Sequence, residues 1–276
     1  MKERSPDPLV SVIVPTYNSQ KTIQQCLQSI ELQNYRNTET IVVDRHSTDE
    51  TVQTASWLNA KILLTTRERS TAKNIGAQMA SGDFLLFLDS DMELDPGTLE
   101  ECVELCIKRG FDAVTIPLNA HATGFLATCR KIDRGLYDND PNLFQMPRFF
   151  GRRAFLSVHG FDEELVCGED FDLARRYEKQ GYRIGVAVSP VRHLEGQLSL
   201  RKIVMKDYYY GKSLIPFFSK EPKLALRGYC PTRFVWNIRR LLRQPTYLMG
   251  LSAVKLFEYT AYFAGILAYA LGGARL

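Results

Sequence analysis

Short apolar runs recur along the first two thirds of the chain, and each ends in polar residues. The central one is Phe84-Leu85-Leu86-Phe87-Leu88, bounded by Gly82-Asp83 and followed at once by Asp89-Ser90-Asp91. Five consecutive apolar residues predict a strand buried on both faces. Leu9 to Val14, Thr40 to Val43 and Lys61 to Leu64 predict three more strands. Between these runs the spacing turns helical. Ile23, Cys26, Leu27 and Ile30 repeat within Ser19–Gln33, with Ser19 placed as a cap. Ser47-Thr48-Asp49-Glu50 opens a second helix, and Ser70 to Met79 forms a third. Asp95 and Pro96 predict the start of a helix that reaches Lys108. Further strands are expected at Asp112–Ile116, Phe144–Phe150 and Tyr182–Val188, with short helices after Gly151 and after Gly168. Thr123 to Tyr137 has weak helical spacing before the turn Asn139-Asp140-Pro141-Asn142. It predicts a peripheral helix or a mobile loop over the substrate.

Strands alternating with helices define an α/β fold, a doubly wound, mostly parallel sheet with helices on both faces. Polar residues follow successive strands: Asn18, then Asp44 and Asp49, then Asp89 and Asp91. In such sheets the crevice at the C-terminal strand ends binds ligands. In extended chain Asp89 and Asp91 share a side, and two hard oxygen donors suit Mg²⁺ or Mn²⁺. A D-x-D pair also fits an ordinary acidic loop. No G-x-G-x-x-G follows the first strand and no G-x-x-x-x-G-K-[ST] occurs, so phosphate is expected on a metal and not in a glycine cradle.

Composition divides the chain. Residues 197–276 hold 13 Lys and Arg against 3 Asp and Glu, net +10, and 14 of the 30 aromatic residues; residues 1–196 are net −6. We therefore expect a catalytic domain at 1–196 and a basic, aromatic helical tail at 197–276. Leu200 to Lys212 mixes basic, aromatic and aliphatic residues as interfacial helices do. Met249 to Leu271 is largely apolar but interrupted by Lys255 and Glu258, and its unbroken part, Tyr259 to Leu271, is shorter than a span requires. It is read as lying in a membrane interface, ahead of a full span or a helix packed on the domain. An anionic membrane surface is the expected partner. No nucleic-acid module is recognisable, and nucleic acid is not expected. The six cysteines include no C-x-x-C and read as reduced core residues. The start of the chain is charged and proline-containing, which argues against a secretory leader and for a cytoplasmic enzyme, peripheral at the inner face of the cell membrane.

Six stretches, taken in order and spacing, resemble family-2 inverting glycosyltransferases of the GT-A fold over residues 9–196. They are Val12-Ile13-Val14-Pro15-Thr16-Tyr17-Asn18; Val43-Asp44 with Ser47-Thr48-Asp49; Ala72-Lys73-Asn74-Ile75-Gly76; Phe87-Leu88-Asp89-Ser90-Asp91; Gly160-Phe161-Asp162-Glu163; and Gly168-Glu169-Asp170. The resemblance implies that the segment Pro15, Tyr17 and Asn18, with Asp44 and Asp49, holds the nucleoside. Asp89 would bind near the ribose, Asp91 and His193 would ligate Mn²⁺ or Mg²⁺, and Asp170 would be the catalytic base. Glu169 or Asp172 would be its substitutes. Lys73 or Arg69 would help neutralise the leaving diphosphate, and Arg152 or Arg153 would face an acceptor phosphate. Lys73 stands where many members carry Arg, and Arg45-His46 replaces residues that are commonly small or acidic. The implied donor is a nucleoside-diphosphate sugar, a UDP-sugar first, and the implied acceptor a lipid-linked or other glycan. A non-catalytic module that binds a nucleotide sugar or a membrane remains the alternative, and a nucleotidyltransferase would leave Gly168-Glu169-Asp170 unexplained.

Overall fold

Strand β1 (Val10–Thr16) is buried at every position and pairs in parallel with β2 (Thr38–Asp44), outside which lies β3 (Lys61–Leu64). On its other side it pairs in parallel with β4 (Phe84–Phe87). Side chains along these strands alternate between two cores, as the pleat requires. Val12, Val14, Val42 and Leu86 enter one, and Ile13, Ile41, Val43 and Leu85 the other. The computed structural model describes residues 7–120, 124–135, 146–165, 167–194, 199–229, 235, 237–243 and 245–271. The turn expected at Asn139–Asn142 lies outside these residues.

Beyond β4 the sheet changes direction. β5 (Met92–Leu94) leaves for a small three-stranded sheet, while β6 (Ala113–Thr115), β8 (Pro147–Gly151) and β9 (Ile184–Val186) extend the large one in the order β3-β2-β1-β4-β8-β6-β9. β8 is antiparallel to both its neighbours, and β9 is parallel to β6. The small sheet orders β5, β10 (Val191–His193) and β7 (Leu118–Ala120). Helices cover both faces, as expected. α1 (Ile23–Glu31), α2 (Thr51–Trp57) and α4 (Thr98–Lys108) pack into the first core; α3 (Arg69–Met79) packs into the second. Two later helices, Arg152–Ser157 and Glu169–Lys179, join α3.

Two expected caps are corrected. α1 begins after Thr22, and Ser19 instead accepts the Thr22 and Ile23 amides on its carbonyl. Its hydroxyl meets that of Ser90 at 2.8 Å. α4 begins after Gly97, because Asp95-Pro96-Gly97 first makes a turn in which the Asp95 carbonyl accepts from Thr98. The Asp95 carboxylate is taken by Arg192, at 3.1 Å. Gly76 lets α3 sit against β1, since a β-carbon there would overlap Ile13 Cγ2 and come within 3.2 Å of Val43 Cγ2. Gly76→Ala is therefore expected to destabilise the domain by about 1–3 kcal/mol through overpacking, despite alanine's better helix propensity. A urea denaturation midpoint below that of the wild type checks this.

The chain divides into two units. The first gathers Met1–Asn119, Met146–Glu163 and Asp170–Leu194; the second gathers Ala120–Gln145, Glu164–Glu169 and Glu195–Leu276. The last division between them falls at Leu194/Glu195, and the second unit also takes in two segments from within residues 1–196. It is helical: α5 (Phe125–Gly135), which realises the weak spacing there, and, beyond the two helices already placed (α6 and α7), α8 (Leu200–Lys220), α9 (Pro222–Tyr229), α10 (Ile238–Leu241) and α11 (Pro245–Ala270). α8 and α11 touch backbone to backbone, since a β-carbon on Gly211 would lie 2.5 Å from the Tyr262 carbonyl.

α11 packs through Leu251, Val254, Glu258, Ala261 and Gly265, so it is a packed helix along this face. Its two charges lie inward. Lys255 Nζ is 2.7 Å from Asp133 and 2.9 Å from Glu258, and Arg130 is 3.5 Å from Glu258. Asp207 of α8 accepts from Tyr262 Oη at 3.0 Å; burial and then Glu258 push its carboxyl up to about 6. Among the described residues no helix is long and apolar enough to cross a membrane. Cys26, Cys102, Cys106, Cys129 and Cys167 are buried free thiols, which fits core packing; Cys230 lies outside the described residues.

Candidate active site

The polar residues expected at the strand ends do collect at the C-terminal edge of β1, β2 and β4. Asp44 closes β2 and is fully buried, accepting from Thr16 Oγ1 at 2.7 Å, the Ser47 amide at 2.7 Å and Ser47 Oγ at 2.5 Å. With both oxygens engaged, it fixes the two loops that leave β1 and β2. Asn18 continues that work. Its amide donates to Ser47 Oγ at 2.8 Å, its side-chain oxygen accepts from Thr48 at 2.9 Å, and it takes the left-handed φ of 48° that asparagine tolerates. Asp49 accepts from the Thr51 hydroxyl and amide and from the Gln20 amide. Desolvation opposes its charge, but these donors outweigh it and hold the carboxyl below the usual range. Pro15 is buried, whereas Tyr17 is 53% exposed, with the Arg45 guanidinium 4.4 Å from its ring centroid. The exposed surface at this strand edge thus includes an aromatic ring backed by a cation, with Glu68 holding Arg45 at 2.7 Å.

Asp89 and Asp91 do not act side by side. The Met92 amide donates to the Asp89 carbonyl at 3.0 Å, so the chain turns there and the alternation of an extended strand is lost. Asp89 turns inward to Arg148, at 3.1 Å. Burial works against its charge, yet Arg148, Lys73 and Arg69 together hold the carboxyl well below the usual range. Asp91 points outward, 45% exposed, with His193 Nε2 3.4 Å from its carboxylate. β10 delivers that histidine, since it pairs His193 with Met92. A carboxylate oxygen and an imidazole nitrogen converging on one exposed point fit Mn²⁺, and Mg²⁺ less well, with water and substrate phosphate filling the other positions. No group of three or more ligating side chains occurs among the described residues.

Asp170, in the first turn of α7 (Glu169–Lys179), lies 3.6 Å from Lys73 Nζ. Lys73 is 2% exposed and also lies 4.5 Å from the centroid of the Phe161 ring. Asn74 beside it clamps the Gly160–Glu163 turn. It donates to the Phe161 carbonyl at 2.8 Å and to Glu163 at 3.1 Å, and accepts from the Phe161 amide at 2.9 Å. Gly160, at φ 65°, is needed there because a β-carbon would lie 2.5 Å from Asn74 Oδ1. The Asp170 and Asp89 charges both act on Arg148. Two carboxylates and two cations, Arg148 and Lys73, therefore form one cluster.

Four sequence-based assignments do not fit this geometry. Arg152 was expected at an acceptor phosphate, but β8 is antiparallel to β4, so Gly151 pairs with Phe84 and the Arg152 amide meets the Asp83 carbonyl. That is the opposite sheet edge, roughly 15–20 Å from Asp89 at strand rise. Arg153 follows it there. Glu169 is 2% exposed and closed to substrate, and Asp172 is tied to Arg176 at 2.7 Å, so neither can replace Asp170 as base. Arg148 and Asn74 were missed. The signal for Arg148 was a charge inside a strand otherwise made of apolar residues, which demands a partner. Asn74 gave none.

A mostly parallel sheet, helices on both faces and acidic residues gathered at one sheet edge are the features of a GT-A fold, and solved GT-A enzymes superpose on the chain. A mannosyltransferase from Pyrobaculum calidifontis, solved with GDP-Man and Mn²⁺, matches with a TM-score of 0.67 at 17% identity, covering 97% of this chain and 90% of that one. The sequence profile of glycosyl transferase family 2 matches residues 11–156, and the chain belongs to that family. Among curated relatives, the poly(ribitol-phosphate) beta-N-acetylglucosaminyltransferase TarS of Staphylococcus aureus is 34% identical over 117 residues, 39% of this chain and 20% of TarS. The UDP-Glc:alpha-D-GlcNAc-diphosphoundecaprenol beta-1,3-glucosyltransferase WfgD of Escherichia coli is 36% identical over 108 residues, 37% of this chain and 43% of WfgD. The matched region thus spans about a fifth of TarS and under half of WfgD.

Proposed function

We propose that the chain is an inverting glycosyltransferase that moves a sugar from a nucleoside-diphosphate sugar, a UDP-sugar first, to a hydroxyl or phosphate of a lipid-linked or membrane-associated glycan. The observation that carries this reading is the Asp170–Lys73–Arg148–Asp89 cluster beside the Asp91–His193 pair. Tyr17 offers a face for stacking a nucleobase, and Asp44, Asn18 and Asp49 hold the loops around it. Asp89, fixed by Arg148, presents an ionised carboxylate for a ribose hydroxyl. A Mn²⁺ or Mg²⁺ held by Asp91 and His193 would supply positive charge to the diphosphate oxygens.

Asp170 is the side chain positioned to take the acceptor's proton. As the acceptor oxygen bonds to the anomeric carbon, the bond from that carbon to the diphosphate breaks, the pair leaves with the nucleotide, and the proton passes to Asp170. One displacement from the opposite side inverts the centre. Lys73, within reach of Asp170, keeps that carboxylate in place. The acceptor class is supported by the diphosphoundecaprenol named in WfgD's activity and the UDP donor by the same name; we place the enzyme at the inner face of the cell membrane.

Calorimetric titration with UDP, GDP and dTDP, with and without Mn²⁺, tests the reading. One nucleotide should bind with metal, and Asp91→Asn should weaken that binding by roughly tenfold or more through loss of a charged ligand. A folded wild-type protein that binds none of the three would overturn it.

A further inference from the structure

α11 is built inside out. Its packed face carries Lys255 and Glu258, whereas its outward face, from Met249 through Leu256, Phe263 and Leu267 to Leu271, is uncharged. A helix that is apolar on all sides is normally covered on all sides. Here the outward stripe runs about 33 Å at helical rise, and Leu256 and Phe263 are 65% and 62% exposed. Between α8 and α11 lies an open apolar cleft of about 430 Å³, lined by Leu214, Ile215, Phe218 and Ser219 of α8 and Ile266 of α11.

The charges of the same unit decide what covers it. The acids of α8 and α11 are withdrawn: Asp207 and Glu258 are 2% and 4% exposed, and Asp133 of α5 is held by Lys255, while the exposed Glu164 is paired with Lys220 at 3.0 Å. The unit's cations face outward at Lys131, Arg201, Lys202, Lys206, Lys223 and Arg243. On α8, Lys206 and Lys212 lie 5.5 and 5.3 Å from the ring centroids of Tyr210 and Tyr208, the aromatic–cation pairing found at headgroup depth. We propose that the outward face of α11 is a docking surface for an anionic lipid bilayer, lying in its plane with an acyl chain in the Leu214–Ile266 cleft. A second copy of the chain would bring like charges together, and a neutral apolar partner would leave the outward cations unanswered. The inference rests on the membrane-linked acceptor proposed above and names the surface that would bring the enzyme to it.

The test is sedimentation of the full chain with phosphatidylglycerol-containing vesicles and with pure phosphatidylcholine vesicles, for the wild type and for Leu256→Glu, Phe263→Glu and Leu267→Glu combined. These positions are exposed, and glutamate favours a helix, so the variant should melt as the wild type does. Wild type should prefer anionic vesicles by roughly tenfold or more, and the variant should lose roughly tenfold or more of that partition, with nucleotide titration unchanged. Equal partition of variant and wild type, no binding of wild type, or a wild-type dimer that the substitutions dissolve without altering partition would each overturn the surface. Vesicle binding by a protein silent to every nucleotide would sink the transferase reading and leave the surface standing.

Discussion

Asp170→Asn is expected to lower single-turnover transfer by about 10²–10⁴-fold, the range that a positioned general base contributes. Asparagine keeps the shape of the side chain but has no carboxylate to receive the acceptor's proton. The nucleotide should bind as before, because Tyr17, Asn18, Asp91 and His193 are untouched. Lys73 loses a partner at 3.6 Å, yet it remains over the Phe161 ring, and its charge also acts on Asp89. The fold therefore has a second counter-charge for this buried cation and should survive the change. Unchanged UDP titration with collapsed transfer assigns the proton-accepting role to Asp170. Full transfer by Asp170→Asn would move that role elsewhere, and since Glu169 is buried and Asp172 is tied to Arg176, it would move outside the Gly168–Asp172 segment altogether.

Much of the first unit was legible because a strand buried on both faces has to be an apolar run. Residues 12–14, 41–43 and 84–87 are such runs, and Asn18, Asp44 and Asp89 follow them at the polar end of each strand. Strand direction was not legible. Pro147–Gly151 reads the same whether it runs with β4 or against it, and only the antiparallel pairing explains why Arg148 is at the site and Arg152 is not. The pairing of Asp89 and Asp91 failed for a local reason, the turn closed by the Met92 amide, which no alternation of apolar and polar residues reports. The helical unit hid its logic more thoroughly. Lys255 and Glu258 look like interruptions of an apolar helix, but they face Asp133 and Arg130, more than a hundred residues earlier in the chain. Charge in sequence does not tell which face of a helix will be wet.

Arg148→Met should destabilise the protein by about 2–3 kcal/mol at pH 7, because it leaves Asp89 ionised and largely desolvated with its nearest cation gone. Lys73 and Arg69 still act on that carboxylate, which keeps the loss below that of a wholly orphaned charge. Melting should fall by roughly 4–10 °C. The pH dependence separates charge from packing. Asp89 is held below the usual aspartate range in the folded protein, so its contribution is fully present above the unfolded pKa of about 3.9 and is lost as pH falls toward the folded value. In the variant the remaining cations offset burial less completely, and this pH-dependent contribution shrinks. The gap in urea midpoint between wild type and Arg148→Met should therefore be wide at pH 7 and narrow at pH 3. Arg148→Lys, which keeps the charge without the planar fork, should recover part of the gap at pH 7. A gap of the same size at both pH values would mean that Arg148 acts through the packing of its side chain, and the ionised Asp89 needed for the proposed ribose contact would then have to be maintained by Lys73 and Arg69 alone.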